Sequence, residues 1–265
     1  GFNSIRVFLH DLPYAADPQG FLDRIDRFLT IAARHKIGVM LVLFDSCWDP
    51  QPRPGPQRQP RPHVHNSGWV QSPGREILGD ESRHAALEAY VKGVIGRFKD
   101  DPRVQVWDLF NEPDAENREP YGAVELADKA GPALSLARKA VTWARAVGPS
   151  QPLTICVWQG DWHDPQRLSP LARFSLANSD VVSFHNYGND KALQTAIEVL
   201  REYGQPLLCT EYMARPFGST FDPLLGMLKD EHVGAYNWGF VAGKTQTNYP
   251  WDSWQKTYAA EPPLW

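Results

Sequence analysis

Cysteine is scarce in this chain, and its placement excludes several classes of protein. Only three cysteines occur, Cys47, Cys156 and Cys209, and they lie far apart. An odd number at such spacing forms neither a disulfide framework nor a zinc-binding motif. Cys156 and Cys209 fall inside apolar, strand-like runs, where a buried thiol behaves as a small hydrophobic side chain. The chain is therefore not a module held together by disulfides or by cysteine-bound zinc.

Long apolar runs and dense basic runs are also missing. No stretch is long and apolar enough to span a bilayer. The formal net charge is −4, and the arginines between Pro50 and Pro62 are diluted by proline and glutamine. Neither a membrane nor nucleic acid is therefore an expected partner. No secretion signal is recognisable, but the chain opens at Gly1 rather than at Met, so this end does not reveal the compartment.

The chain does contain enough apolar side chains for a large core. Hydrophobic residues make up 42% of the 265 positions, which excludes a disordered chain. Barrels of alternating strands and helices have roughly 250 residues, so one domain over residues 1–265 is the simplest organisation. The ten tryptophans suit either core packing or stacking on sugar rings, and composition does not separate these uses.

Short apolar runs alternate with longer amphipathic runs, which is the pattern of a parallel α/β sheet. The short runs are almost continuously apolar, as expected of strands covered on both faces. They predict seven strands: Phe2–Leu9, Ile37–Phe44, Val104–Phe110, Leu153–Trp158, Val181–Phe184, Pro206–Thr210 and Val233–Trp238. Helical spacing predicts six helices between them: Phe21–His35, Arg83–Phe98, Pro132–Val147, Leu168–Ala177, Lys191–Tyr203 and Asp222–Glu231.

Seven strands are one fewer than a closed barrel requires. We predict a (β/α)8 TIM barrel that lacks its first β/α unit and its last helix in this chain, with a missed strand as the alternative. An incomplete barrel would expose strand edges and favour self-association, although the sequence indicates no oligomeric state. The proline-rich stretch Ser46–Ser82 follows a strand, and loops in that position carry the chemistry of barrels.

Two of the predicted strands end in glutamate. One runs into Asn111-Glu112-Pro113, where Pro113 ends the ladder, and the other ends at Glu211. Because the carboxyl ends of parallel strands open on one face, we expect both glutamates to meet in one cleft. Glycoside hydrolysis needs such a pair, since one carboxyl group protonates the leaving oxygen and the other attacks the anomeric carbon. Glutamates that only cap loops or pair with arginine are the alternative.

These motifs resemble those of the clan A glycoside hydrolases, and most closely the family 5 cellulase-like group. In that clan the acid/base glutamate follows asparagine at the end of the fourth strand, and the nucleophile ends the seventh. Glu112 ends the third predicted strand and Glu211 the sixth, an offset of one that agrees with a missing first unit. The resemblance implies a retaining hydrolase of β-linked glucan, mannan or xylan, with Glu112 as general acid/base, Glu211 as nucleophile and no cofactor. It also slightly favours a secreted or periplasmic location.

The resemblance extends to further positions of the site. Arg6 matches an arginine that lies beside the nucleophile and would keep Glu211 ionised. His185 and Tyr187 match a His-x-Tyr motif, in which the histidine bonds near the acid/base and the tyrosine donates to the nucleophile. Trp238 matches the aromatic platform under the reacting sugar. Asn111 is expected to bond the sugar 2-hydroxyl, because its amide both donates and accepts hydrogen bonds.

This chain departs from the family after its second predicted strand, where many members have histidine. Asp45 stands there, and it is expected either to accept a hydrogen bond from a sugar hydroxyl or to pair with Arg6 or His10. His10 is itself a weaker site candidate. Three tryptophans follow strand ends and are expected to line further subsites or the core: Trp48, Trp158 and Trp162.

Two other functions remain open at the level of sequence. His63 and His65 form a His-x-His pattern that suits zinc in a barrel amidohydrolase, but they sit in the proline-rich loop after a middle strand. A sugar-binding barrel without catalysis is the second alternative, since a small displacement of the carboxylates would remove turnover but not binding.

Overall fold

The computed structural model describes residues 1–239 and 243–258. Seven strands lie in these ranges: β1 Ser4–Phe8, β2 Gly38–Asp45, β3 Val104–Asn111, β4 Leu153–Thr154, β5 Val182–His185, β6 Leu207–Glu211 and β7 Gly234–Ala235. They form two parallel sheets, of order β1-β2-β3-β4 and β5-β6-β7. Val157 links the two sheets, because it donates to the Ser183 carbonyl (3.0 Å) and accepts from the His185 N–H (3.2 Å). All seven predicted strands are confirmed, and the fold is an α/β barrel of the TIM type.

Helices connect the strands and cover the outside of the barrel. The described ranges contain α1 Asp11–Ala16, α2 Pro18–Arg34, α3 Arg75–Leu78, α4 His84–Phe98, α5 Arg118–Tyr121, α6 Ala130–Val147, α7 Pro170–Asn178, α8 Asp190–Arg201 and α9 Phe221–Asp230. The six predicted helices are confirmed within a few residues. The sequence did not predict α1, α3 and α5, because fewer than two turns show no helical periodicity.

Local signals in the sequence explain where these elements begin. The side chain of Asp17 accepts a hydrogen bond from the Gly20 N–H (2.9 Å) and caps α2, which opens on Pro18. The buried face of α2 then consists of Phe21, Ile25, Leu29 and Ala32, the spacing of a helix that packs one face on a sheet.

Strand register brings the polar strand ends to the same level. Asp45 at the end of β2 pairs with Asn111 at the end of β3, and His185 at the end of β5 pairs with Glu211 at the end of β6. The interior of β2 is buried throughout, so these ends are anchored on a rigid sheet. A side chain at each end therefore has a fixed height at the carboxyl face of the barrel.

The strands β1 and β7 form the two edges of the described sheets. Across the groove between them the Ser4 hydroxyl oxygen lies 2.7 Å from the Tyr236 hydroxyl oxygen, and within the described ranges neither edge pairs with a further strand. The predicted lack of a first β/α unit stays a prediction. The predicted lack of a last helix also stays one, because residues 259–265 lie outside the described residues.

The Ser46–Ser82 insertion crosses the carboxyl face and packs on residues 243–258. The Trp48 and Trp254 rings stack with centroids 5.6 Å apart and planes at 11°. The backbone N–H of Asn66 donates to the Thr245 carbonyl (2.7 Å) and that of His65 to the Ser253 hydroxyl (3.0 Å). The insertion is thus a folded wall above the strand ends, and it includes the short helix α3.

No helix in the described part of the chain has the length and apolarity that crossing a membrane requires.

A fully buried lysine joins the loops that follow β2 and β3. The Lys129 ammonium donates to the carbonyl oxygens of Ser46 (2.9 Å) and Ala115 (2.7 Å) and to the Glu125 carboxylate (3.2 Å). Its side chain is 0% exposed. Burial lowers the pKa of Lys129, against the attraction of Glu125. The lysine thereby fixes two loops that begin next to Asp45 and Glu112.

Replacing Lys129 by methionine is expected to reduce the free energy of unfolding by about 3 kcal/mol, because the Glu125 charge and two carbonyl groups then remain buried without their cation. Denaturant unfolding followed by circular dichroism measures this change. Lys139→Met is the matched control, since Lys139 pairs with Glu81 on the surface and its loss should change stability far less. Equal effects of the two variants would contradict the prediction.

Candidate active site

A cavity of about 210 Å³ lies at the carboxyl ends of the strands, and both strand-end glutamates line it. Glu112 follows the last residue of β3, and its backbone φ of 39° places it in the left-handed region. Such a conformation costs about 1–3 kcal/mol in a residue other than glycine, and it recurs at functional sites. The sharp turn at this position lets the Glu112 side chain enter the cavity. Glu211 is the last residue of β6 and enters the cavity from a different strand.

The two carboxylates lie beside the same ring nitrogen of His185. The His185 Nδ1 atom lies 2.6 Å from Glu112 Oε1 and 3.6 Å from Glu211 Oε2. One oxygen of each carboxylate and a ring nitrogen of His185 all lie within 4.8 Å of one another. The structure therefore brings together the two glutamates and the histidine that the sequence singled out.

Hydrogen bonds set the charge of Glu112. Burial acts to raise the pKa of Glu112, but the hydrogen bond and positive charge of His185 outweigh it, so this pKa lies below its usual value. Burial acts to lower the pKa of His185, and the neighbouring Cys156 and Glu211 with the Glu112 hydrogen bond raise it well above the usual value. Both shifts favour an ionised Glu112 that accepts a hydrogen bond from His185 across the 2.6 Å contact.

Glu211 accepts one hydrogen bond from a side chain of β1 and one from the loop that follows β5. Arg6 in β1 donates from Nη1 to Oε1 (2.9 Å), and Tyr187 donates its hydroxyl to Oε2 (2.7 Å). Burial opposes the charge of Arg6, but the carboxylates of Asp108 and Glu211 raise its pKa above the usual value, so it stays a cation. Burial and the Glu211 charge raise the pKa of Tyr187 well above the usual value, so it stays a donor. The two donors hold one oxygen of the Glu211 carboxylate each and so fix its orientation.

The Asn111 side chain lies between a donor and an acceptor. Its amide oxygen accepts from Arg6 Nη2 (2.6 Å), and its Nδ2 donates to Asp45 Oδ1 (2.9 Å). The expectation that Asp45 pairs with Arg6 or His10 is wrong, because Arg6 is committed to Asp108 (2.7 Å), Asn111 and Glu211. Burial raises the pKa of Asp45 to about 6, against the hydrogen bonds from Asn111 and Trp69 that act to lower it.

Aromatic rings form the walls of the cavity. Trp238 lines it and packs edge-to-face on Phe8 (centroids 5.2 Å apart) and on Trp69 (5.0 Å). Trp48 and Trp158 also line the cavity, and the indole N–H of Trp158 donates to Asp114 (2.8 Å).

Two candidates lie elsewhere. Trp162 lines a neighbouring groove of about 620 Å³ that continues from the cavity past Trp158. His10 caps the start of α1 by accepting from the Leu12 N–H (3.2 Å), and it contacts Asp11. His10 was therefore wrong as a site candidate, since its ring serves a helix end rather than the cavity.

Sequence reasoning overlooked Cys47, Trp69 and Asp108. The Cys47 sulfur lies 3.1 Å from Glu112 Oε2, and burial, with the charges of Asp45 and Glu112, raises the pKa of this thiol well above its usual value. It therefore stays protonated and donates. Nothing in the sequence around Cys47 or Trp69 marks these contacts. Asp108 did carry a signal, because it is a charged residue inside an apolar strand, as Arg6 is, and each needs an opposite charge when buried.

The His-x-His interpretation is wrong. The Nδ1 atoms of His63 and His65 lie 2.6 and 2.7 Å from the carbonyl oxygens of Tyr258 and Tyr249, so both rings tie the insertion to residues 243–258. Burial lowers the pKa of His65 to about 4, which keeps it neutral. Within the described ranges, the acid and histidine side chains that converge closely enough to bind a cation are Glu112, His185 and Glu211. In that group Glu211 is already paired with Arg6, at 2.9 Å.

A parallel α/β barrel with two facing carboxylates in a tryptophan-lined cavity at its carboxyl face defines a barrel glycoside hydrolase. Comparison with protein families agrees, because residues 1–256 match Cellulase (glycosyl hydrolase family 5). The chain belongs to glycoside hydrolase family 5.

Solved structures show the same fold at low sequence identity. A β-glucanase from Saccharophagus degradans is 15% identical with a TM-score of 0.55, over 91% of this chain and 70% of that chain. An endo-1,4-β-mannanase from Eisenia fetida is 15% identical with a TM-score of 0.55, over 96% and 80%. Endo-glycoceramidase II from a Rhodococcus species, solved as a lactosyl-enzyme intermediate, is 14% identical with a TM-score of 0.58, over 94% and 67%. No curated protein sequence matches the chain.

Proposed function

We propose that this protein hydrolyses β-linked poly- or oligosaccharides with retention of the anomeric configuration, by a double displacement. The observation that carries the proposal is the short gap between Glu112 and Glu211, since one oxygen of each carboxylate and a ring nitrogen of His185 lie within 4.8 Å of one another. Retaining enzymes separate the two carboxyl groups by roughly 5 Å, whereas inverting enzymes need roughly 6.5–9.5 Å to admit a water molecule. The gap in this cavity fits attack by a carboxylate.

In the first step Glu211 attacks the anomeric carbon while the bond to the leaving oxygen breaks. Glu112 delivers a proton to that oxygen, and the proton comes from the His185–Glu112 pair. Arg6 and Tyr187 hold Glu211 by one oxygen each, so its carboxylate is oriented before the substrate arrives. The product of this step is a glycosyl ester of Glu211 with the free aglycone.

In the second step water attacks the anomeric carbon and the Glu211 ester bond breaks. The Glu112 carboxylate, beside a His185 ring that gave up its proton in the first step, takes the proton from this water, and the pair thereby regains its proton. Two inversions at one carbon give overall retention. The cycle needs no redox change and no group beyond these side chains.

Asn111 and the tryptophans position the sugar in this proposal. The second N–H of Asn111 Nδ2 faces the Cys47 sulfur at 3.5 Å, a weak acceptor, so a sugar 2-hydroxyl can replace that contact. Trp238 is the platform for the reacting ring, because indole faces pack on the C–H faces of sugars. The groove beyond Trp158 then takes the leaving group. Trp48, which also lines the cavity, provides a further contact for the substrate.

The known relatives support the same class of substrate. The glucanase and the mannanase act on β-glucan and β-1,4-mannan, and the glycoceramidase was captured as a lactosyl-enzyme intermediate. A covalent glycosyl intermediate on Glu211 is the corresponding species here. The choice between glucan, mannan and xylan depends on loop contacts that the family does not share.

Trapping the intermediate tests this proposal. Incubation with activated 2-fluoro β-glycosides of the gluco, manno, xylo and galacto series should add one glycosyl mass to the protein, and peptide mapping should place it on Glu211. Glu211→Gln should form no adduct, and Glu231→Gln, which alters only a surface pair with Arg201, should form it normally. NMR of the released sugar shows its anomeric configuration. Hydrolysis by the wild type with inversion of that configuration would overturn the proposal. Binding of oligosaccharide without any turnover would instead indicate a non-catalytic sugar-binding barrel.

A further inference from the structure

The side chain of Asp45 lines the cavity and joins three parts of its wall, although it is almost fully buried. Its Oδ1 accepts from Asn111 Nδ2 (2.9 Å) and from the Cys47 N–H (3.1 Å), and its Oδ2 accepts from the Trp69 indole N–H (2.6 Å). The residue is 3% exposed. Three of about four acceptor positions of this carboxylate are thus used within the protein.

The backbone of Asp45 is held as firmly as its side chain. Its N–H donates to the Ser72 carbonyl (2.6 Å), and its carbonyl accepts from the Ser72 N–H (2.9 Å), so the insertion pairs with the end of β2. The carboxylate therefore has a single position relative to β3, where Asn111 is its direct partner in register.

This geometry fixes which end of the Asn111 amide faces the cavity. Arg6 Nη2 donates to the amide oxygen (2.6 Å), and Asp45 accepts from the amide nitrogen. Rotating the amide by 180° would set its NH2 group against the guanidinium and its oxygen against the carboxylate, which removes two charge-assisted hydrogen bonds and creates two repulsive contacts. With Asp45 present, the second N–H of Asn111 can only point along the cavity side, toward the Cys47 sulfur.

We propose that Asp45 is a positioning residue that sets the Asn111 amide for the sugar 2-hydroxyl, and that it contacts no hydroxyl group itself. The inference rests on the proposed function, because it requires a glycoside in the cavity. The 2-hydroxyl contact strengthens as the oxocarbenium-like transition state forms, so the effect of Asp45 lies in kcat more than in KM.

Deoxy substrates separate this role from direct binding. For the aryl β-glycoside that the wild type hydrolyses fastest, Asp45→Asn should lower kcat/KM by roughly 10- to 100-fold. For the matching 2-deoxy glycoside, kcat/KM of the wild type should exceed that of the variant by only about threefold or less, because no 2-hydroxyl is left for Asn111 to contact. The 3-deoxy and 6-deoxy glycosides should show the full penalty.

Trp69→Phe is the matched control. It removes the other side-chain donor to Asp45 and leaves the Asn111 bond in place, so it should affect 2-hydroxy and 2-deoxy substrates equally. If circular dichroism shows that Asp45→Asn does not fold, Asp45→Glu provides the same test, since it displaces the carboxylate by one methylene and should show the same selective loss.

The outcomes distinguish this inference from the proposed function. A wild type that hydrolyses none of the glycosides would overturn the proposed function and this inference with it. If the wild type is active but the Asp45 variants lose the same factor in kcat/KM on 2-hydroxy and 2-deoxy substrates, the inference alone is overturned. A penalty that disappears instead with the 3-deoxy or 6-deoxy glycoside would show that Asp45 binds that hydroxyl directly, which also overturns it.

Discussion

Replacing Glu211 by glutamine is expected to lower kcat by about 10⁵-fold, because the amide has no charge with which to attack the anomeric carbon. Glutamine keeps the shape of the side chain and can still accept from Arg6, so binding of oligosaccharide should persist. Steady-state hydrolysis of an aryl β-glycoside measures the loss, and isothermal titration with an oligosaccharide measures the binding.

A small anion identifies the role of the missing carboxylate. Added azide should restore turnover of an activated glycoside by a Glu211→Ala variant and give the α-glycosyl azide, since a single inversion replaces two. Glu231→Gln, on the surface, should keep wild-type kinetics. Full activity in Glu211→Gln, or azide rescue that yields the β-product, would exclude Glu211 as the nucleophile.

Removing Glu112 is expected to produce a loss that depends on the leaving group. Glu112→Ala should lower kcat/KM by about 10³-fold for an unactivated disaccharide, whose leaving alcohol must be protonated, and by roughly tenfold or less for a 2,4-dinitrophenyl glycoside, which leaves as a stable anion. The second step then lacks its base, so the dinitrophenyl glycoside should release a burst of product equal to the enzyme concentration, followed by slow turnover. Stopped-flow absorbance measures both phases.

The control and the rescue for Glu112 follow the same logic. Glu116→Gln changes an exposed carboxylate four residues further along the same loop, and it should show neither the burst nor the dependence on the leaving group. Azide should accelerate the slow phase of Glu112→Ala and give the β-glycosyl azide, because azide attacks without a base. A loss of equal size for both leaving groups would contradict the role of general acid.

The barrel was predictable because each of its elements carries a local signal. The strands β2 and β3 are almost continuously apolar, and α2 shows a cap, a proline and a buried face at helical spacing. Strand order then follows from the rule that successive β/α units wind in one direction. The short helices escaped prediction because they depend on contacts after folding. The α1 helix, for example, begins where the His10 ring accepts a hydrogen bond from the Leu12 N–H.

Only those residues of the candidate site that stand at strand ends or in family motifs were predictable. Glu112 and Glu211 stand at strand ends, so parallel pairing places them on one face. The partners of Asp45 were not predictable, because Trp69 reaches it from the insertion and Asn111 from the neighbouring strand. The His63 and His65 rings likewise bond to carbonyl oxygens of residues that lie about 190 positions later in the chain.

The sequence by itself therefore determined the class of fold, the strands that carry the two glutamates and the type of chemistry that such a pair supports. These properties depend on periodicity and on residue identity at strand ends, which are local. The tertiary structure alone decided the gap between the carboxylates, the 2.6 Å contact of Glu112 with His185, and the contacts of Asp45. Each of these depends on distances of a few ångströms between side chains of different strands and loops, and only the packed barrel sets such distances.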